Sequence, residues 1–280
     1  MIIKIYYFFK NRGLKSTIKQ IFKSALSRIG MSVTFHSKKK ISNILKARKI
    51  FSGRKIKYSQ SGYYYIHPMP LERELNEYYK FSYWDSIQSK KYGVETRDIR
   101  HFQTLLDVEA KFNEKKKKIL NFGSGHGGIS IIFNLLGHNV VNVEPSQMTK
   151  IFNKNWKSFS SINDVPDEEF DLIYGSHSME HVHDLDLFNK RIKKLSKQET
   201  IFLWEVPNAL HPNCGPNENR IDIPHTYYFT IKYFEQSYKQ ILFLECYNKV
   251  KADNTEPLEF KSCFDQYGDS LLFIGKEFKA

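Results

Sequence analysis

The sequence predicts an α/β fold: a mostly parallel sheet with helices on both faces and an antiparallel edge strand, preceded by a basic, partly helical N-terminal extension. Three observations predict it. Short apolar runs at 118–122, 140–143 and 170–174 alternate with stretches of helical spacing, the arrangement that buries a parallel sheet between helices. The first run passes into Gly123-Ser124-Gly125-His126-Gly127-Gly128 and then a helical run at 129–136. The second run ends in an acid, Glu144.

Each feature has a physical use. Glycine lets the backbone turn sharply and approach a bound molecule with no Cβ in the way. The helix start beyond it offers unpaired N–H groups and a positive dipole end, suited to a carboxylate or phosphate. An acid ending the neighbouring strand accepts hydrogen bonds from both hydroxyls of a ribose. Together they describe half of a nucleotide-cofactor domain. Gly123, Gly125 and Gly128 fit the GxGxxG of dinucleotide sites and equally the GxGxG turn of S-adenosylmethionine sites, so the turn alone leaves the cofactor open.

At 280 residues and 41% hydrophobic content, the chain holds one good-sized domain plus an extension. The formal charge of +13 is concentrated: residues 1–71 carry 16 Lys or Arg and no acid, and the remainder has 27 basic against 30 acidic residues, a net of −3. Cys214, Cys246 and Cys263 are widely spaced without a CxxC, which fits a reducing compartment. His211 and Cys214 form an isolated HxxC, too little for a metal site. No apolar run reaches the roughly 18–20 residues of a membrane span. Met1 to Phe9 is short, interrupted by Lys4 and without a small-residue cleavage site, so no secretory signal is predicted. A cytoplasmic location is expected.

In chain order, Leu14, Ile18, Ile21, Phe22, Ala25 and Ile29 fall at helical spacing with Lys15, Lys19, Lys23 and Arg28 between them, a basic amphipathic helix ended by Gly30. Three readings stand: docking of residues 1–57 on an anionic membrane surface, packing on the body, or binding an acidic partner. Nucleic acid is disfavoured, because Lys38–Lys40 and the basic run at 46–57 lack interleaved aromatics. The arm is assigned to 1–70 and the domain to 71–280. Residues 58–84 are rich in tyrosine, suited to a lid over a pocket or to cementing the arm onto the domain. Helices are expected from about 71, over 98–112, 146–156, 185–195 and 230–239, and strands at 158–162, 169–176, 200–206, 241–247 and 271–275.

Four further segments follow the glycine stretch Asn121-Phe122-Gly123-Ser124-Gly125-His126-Gly127. They are Glu144-Pro145-Ser146, Phe170-Asp171-Leu172-Ile173, Ser176-His177-Ser178-Met179-Glu180-His181-Val182, and Pro224-His225-Thr226-Tyr227-Tyr228-Phe229-Thr230. In order and spacing the chain resembles the class I S-adenosylmethionine-dependent methyltransferases over about residues 71–276, especially bacterial members related to the ubiquinone-biosynthesis O-methyltransferases. The resemblance implies a Rossmann-like class I methyltransferase sheet with S-adenosylmethionine as cofactor. It implies that Gly123, Ser124 and Gly125 hold the methionine part, with Gly128 completing the fingerprint. Glu144 would grip the ribose and Asn163 or Asp164 would sit by the adenine. Ser176 and His177 would face the sulfonium and the acceptor. Asn121 stands where that family usually has an acid, which implies a weaker hold on the cofactor's ammonium group.

Methyl transfer from a sulfonium is an in-line displacement, so the protein mainly holds donor and acceptor in line. A hydroxyl acceptor also needs a base, and histidine titrates near the working pH. His181 is the first candidate, the alternative being that it caps or packs the helix opening there. His177 is another, and so is His225, which can instead shape the pocket wall or bind nothing. Glu180, His181 and His225, with His177 nearby, are ligand types for a divalent ion, although the reading assigns no metal. The function expected is O-methylation of a sugar, surface glycan or lipid-linked acceptor. Rivals are a quinone or other small-lipid methyltransferase, an RNA methyltransferase using the basic arm, and a non-catalytic partner protein.

Overall fold

The computed structural model describes residues 45–47, 49–81, 93–146, 156–212, 216, 225–250, 259–263 and 267–279. The chain divides into Met1–Asn43 and Ile44–Ala280. The helix expected at 14–29, Lys38–Lys40, Cys214 and most of the helix expected at 146–156 lie outside the described residues.

The chain runs β1 (Lys55–Ser59), β2 (Tyr63–His67), α1 (Glu72–Phe81), α2 (Thr96–Val108), β3 (Lys118–Phe122), α3 (Gly128–Leu135), β4 (Asn139–Val143) and β5 (Lys157–Phe159). It continues with β6 (Phe170–Ser176), α4 (Leu185–Lys194), β7 (Ser196–Pro207), β8 (Tyr227–Phe229), α5 (Ile231–Ser237), β9 (Tyr238–Val250), β10 (Glu259–Ser262) and β11 (Ser270–Phe278). The main sheet has the order β10-β9-β11-β7-β6-β3-β4-β5. Strands β5, β4, β3, β6 and β7 pair in parallel. At the other end the sheet closes with three antiparallel strands rather than one, because β11 inserts between β7 and β9 while β10 pairs with the outside of β9.

Strand periodicity sends alternate side chains to opposite faces. Leu120, Ile173, Phe202, Trp204 and Phe273 pack with Phe188 and Ile192 of α4 and Tyr233 and Phe234 of α5. Ile119, Leu172, Tyr174, Leu203 and Leu272 pack with Leu105 of α2 and Ile129 and Phe133 of α3. Both faces are therefore buried, which is why these strands read as continuous apolar runs. The helices start where local chemistry lets them. Asp98 accepts from the Glu95 N–H at 2.8 Å in a capping box before α2, and Asp184 accepts from Leu187 N–H at 2.9 Å before α4.

The tyrosine-rich stretch departs from expectation. Part of it forms a hairpin, β1–β2, extended by β8 into a second, three-stranded antiparallel sheet. Tyr63 and Tyr65 share a face with Tyr227 and Phe229, and the Tyr63 ring lies 5.7 Å from Tyr227 and 5.9 Å from Tyr233 between centroids. They cement this hairpin to the domain, while Lys55 and Lys57 of β1 are exposed to solvent. Residues 55–67, placed in the arm from the sequence, are therefore strand and belong to the same unit as the core. The turn between the strands reinforces this, since Gly62 presents its carbonyl to both the Thr230 N–H (3.1 Å) and hydroxyl (2.7 Å).

Candidate active site

A cleft of about 930 Å³ opens at the carboxyl ends of β3, β4, β6 and β7, the usual ligand position in an open parallel sheet. Its floor is the glycine turn. Gly123 adopts φ 71°, and a Cβ there would stand 2.3 Å from Ser178 Cβ, so only glycine fits. The Gly123 and Ser124 N–H groups both donate to the Val143 carbonyl, at 2.9 and 3.1 Å. Glu144 is buried and accepts from the Gly125 and Ser146 N–H groups, each at 2.9 Å. Gly128 starts α3 directly beneath α2, where a Cβ would meet Asp98 Oδ2 at 2.1 Å. Beside the turn, Asn121 donates to Ser130 Oγ (2.8 Å), which donates to Asn142 (2.7 Å), a neutral relay where an acid was expected. Asn163 lies at the cleft rim on the short turn after β5, whereas Asp164, next to it, does not line the cleft.

Beyond the turn stand the titratable groups that follow β6. Glu180, 1% exposed, has neither carboxylate oxygen hydrogen-bonded among the described residues. His181 Nε2 is 3.8 Å from Glu180 Oε1, and His177 Nδ1 is 3.4 Å from the same oxygen. His225 stacks edge-on to His181 with centroids 4.9 Å apart, and ligand atoms of Glu180, His181 and His225 all lie within 4.8 Å of one another. Tyr79 of α1 reaches across to place its hydroxyl 3.0 Å from His181 Nδ1. Burial alone would raise the pKa of Glu180, but the close approach of His177 and the charges of His181, His177 and His225 bring it down to about 2. The carboxylate is ionised throughout the working range.

The structure brings His177, Glu180, His181 and His225 together. Two of the expected residues also meet a second buried acid. Ser176 lines the cleft and donates to Glu205. His177, held at φ 49°, lies between two buried carboxylates, with Nε2 3.4 Å from Glu205 Oε1. Glu205 of β7 was not anticipated, although a lone acid within the apolar run 201–206 was a visible signal. It is fully buried, accepts from Tyr247, and lies 2.7 Å from Lys249 Nζ and 3.7 Å from Arg97 Nε. Burial pushes its pKa up, and the Lys249 charge with His177 and His101 more than reverses this.

Residues 95–248 match the family model described as a methyltransferase domain. The chain belongs to this methyltransferase family. A methyltransferase from Burkholderia thailandensis, 1,6-didemethyltoxoflavin-N1-methyltransferase with 1,6-didemethyltoxoflavin and S-adenosylhomocysteine bound, shares the fold at TM-score 0.50 and 14% identity, covering 80% of this chain and 100% of that one. S-adenosylmethionine-dependent methyltransferases from Thermotoga maritima and Mesorhizobium loti both align at TM-score 0.46 and 12% identity, covering 64% and 61% of this chain and 96% of each of theirs. No curated protein sequence matches the chain. The family match contains the glycine turn and the Glu180–His181 pair but begins after α1, so Tyr79 lies outside it.

His101 of this methyltransferase gives a pH signature. It is fully buried, 2.8 Å from the Tyr174 hydroxyl, and burial drives its pKa from 6.5 down to about 3 with Glu205 opposing. Between those values the unfolded chain binds a proton that the folded protein excludes, so stability falls as pH drops through that window. Denaturant midpoints measured at several pH values should fall less steeply for His101→Gln than for the wild type. Equal slopes would contradict the assignment.

Proposed function

We propose that this methyltransferase modifies a hydroxyl of a neutral, polyhydroxylated acceptor, a sugar of a surface glycan or of a lipid-linked precursor, and that Glu180, His181 and His225 hold a divalent cation there. The carrying observation is Glu180: a buried, ionised carboxylate whose two oxygens have no hydrogen-bond partner among the described residues, flanked by two imidazoles. A buried charge left uncompensated costs several kcal/mol, and one carboxylate with two imidazoles is a donor set for a divalent transition ion. A cation held there would lower the pKa of an acceptor hydroxyl and fix its oxygen. S-adenosylmethionine supplies the methyl group on a sulfonium sulfur, displaced in line by that oxygen.

The chain's own residues do the rest. Gly123 to Gly125 present backbone to the donor, and Glu144 stands at the ribose end of the cleft. Tyr79 holds His181 Nδ1, which leaves Nε2 on the Glu180 side. The cleft volume is near the upper end of the roughly 300–1,000 Å³ usual for ligand pockets, enough for a donor and a second molecule. Its lining counts Glu72, Glu95, Asp98, Glu144, Glu180, Asp184 and Asp269 against Lys80, Arg97 and Lys249, a balance unsuited to a polyanion such as RNA. The α1 wall of Glu72, Asn76 and Lys80 is polar, which favours a sugar over a quinone.

A second reading has a specific observation behind it: His181, oriented by Tyr79, acts as the general base without a metal. Calorimetric titration of Mn²⁺ in the presence of S-adenosylhomocysteine separates the two. The wild type should bind one ion, and Glu180→Gln and His225→Ala should weaken it by about tenfold or more. S-adenosylhomocysteine affinity should be unchanged in both. Absence of Mn²⁺ binding by the wild type would leave the base reading in place.

The basic stretch supports peripheral docking on the inner membrane face, with about 1 kcal/mol per Lys or Arg near an anionic surface. No helix among the described residues is long and apolar enough to cross a membrane. Because β1 begins at Lys55, the informative truncation keeps residues 44–280 and spares the hairpin. The full chain should float with anionic liposomes and the truncated chain should not. Equal flotation of both would remove the membrane idea.

A further inference from the structure

We propose that Lys249 and His177 form a positioning pair: Lys249, anchored on buried Glu205, fixes the His177 tautomer whose Nδ1–H edge faces the Glu180 carboxylate. This rests on the role given to Glu180 above, and it removes His177 from the list of possible bases.

The argument is one of hydrogen-bond direction. Lys249 Nζ lies 2.7 Å from Glu205 Oε1, a fully buried carboxylate, so it is an ammonium and only donates. The same nitrogen lies 2.6 Å from His177 Nε2, which must therefore offer its lone pair. A neutral imidazole has one N–H, and with Nε2 accepting, that proton sits on Nδ1. Nδ1 is 3.4 Å from Glu180 Oε1, so the protonated edge of the ring faces that oxygen without closing a hydrogen bond to it. The sequence of groups is Glu205 carboxylate, Lys249 ammonium, His177 imidazole, Glu180 carboxylate, with Lys249 donating both to Glu205 and to His177 and the Nδ1–H of His177 facing Glu180.

The backbone is built to hold this. His177 sits in the left-handed region at φ 49°, uncommon for any residue but glycine, and its N–H donates to the Glu205 carbonyl at 2.9 Å. The strain is matched by a side chain that reaches both acids at once. One consequence is asymmetry at Glu180: Oε1 is the oxygen that faces both His177 and His181. A second is that His177 cannot take a proton from an acceptor, because its lone pair is already used by Lys249. His177 and Lys249 are positioning residues, acting through Glu180.

Histidine tautomers are read directly from ¹⁵N-detected long-range correlation spectra of the full-length protein. The signal of His177, one of ten histidines, is assigned by its loss in His177→Gln. In the wild type His177 should be a single Nδ1–H tautomer. In Lys249→Met that tautomer should give way to Nε2–H, drawn toward Glu205, and Lys249→Arg should restore it. An Nε2–H tautomer in the wild type, or an unchanged tautomer in Lys249→Met, would overturn the proposal. Should Lys249→Met not fold, the wild-type tautomer decides alone. Calorimetry with S-adenosylhomocysteine runs beside these spectra, since a wild type that binds none would count against the methyltransferase reading while the tautomer still judges the pair.

Discussion

The glycine turn after β3 is held from outside itself, by the end of the neighbouring strand. The Val143 carbonyl receives two of its N–H groups and the Glu144 carboxylate a third. Register makes this possible: Phe122 pairs with Val143, so Glu144 falls one step beyond the last pair, level with the turn. A slip of one residue would send the buried valines of β4 to the wrong face as well as withdraw Glu144, and the core therefore enforces the geometry of the cofactor floor. Ser178, packed on Gly123, ties the same turn to the segment that carries Glu180 and His181. Donor and acceptor halves of the cleft share one backbone contact.

Two carboxylates buried a few residues apart in space show how burial and compensation divide labour. Glu205 is surrounded by Lys249, Arg97, Tyr247 and Ser176, so its charge is matched and its geometry fixed. Glu180 is equally buried and, among the described residues, its oxygens pair only with imidazoles. Low local dielectric makes the first arrangement rigid and the second costly. An enzyme tolerates such a cost where the carboxylate has a cation to meet. In the proposed reading that cation is held by Glu180, His181 and His225.

Much of the fold was legible because local and long-range preferences agree. Apolar runs, the glycine turn and the acid-ended strand each mark one element, and the parallel half of the sheet follows. The hairpin was hidden because Tyr63, Tyr64 and Tyr65 are consecutive aromatics, which mask a period of two, and because Lys55 and Lys57 look continuous with the basic arm. The antiparallel end was under-read because β10 is short and polar, without an apolar signature. In the site, the motif residues were visible as a cluster. Their partners were not: Tyr79 is 102 residues from His181, and Lys249 is 72 from His177. No spacing rule joins residues that only the sheet order brings together. His177 shows the same limit in reverse, since its type suggested a base and only the fold reveals the carboxylate on either side of it.

The central claim is that the bend at Gly123 is the floor of the donor site. Calorimetry with S-adenosylhomocysteine on the wild type and on Gly123→Ala tests it most directly, because the added methyl would collide with Ser178 at 2.3 Å and displace the turn. The account predicts one-to-one binding by the wild type and its loss in the variant. No binding by the wild type, or undiminished binding by Gly123→Ala, would contradict it.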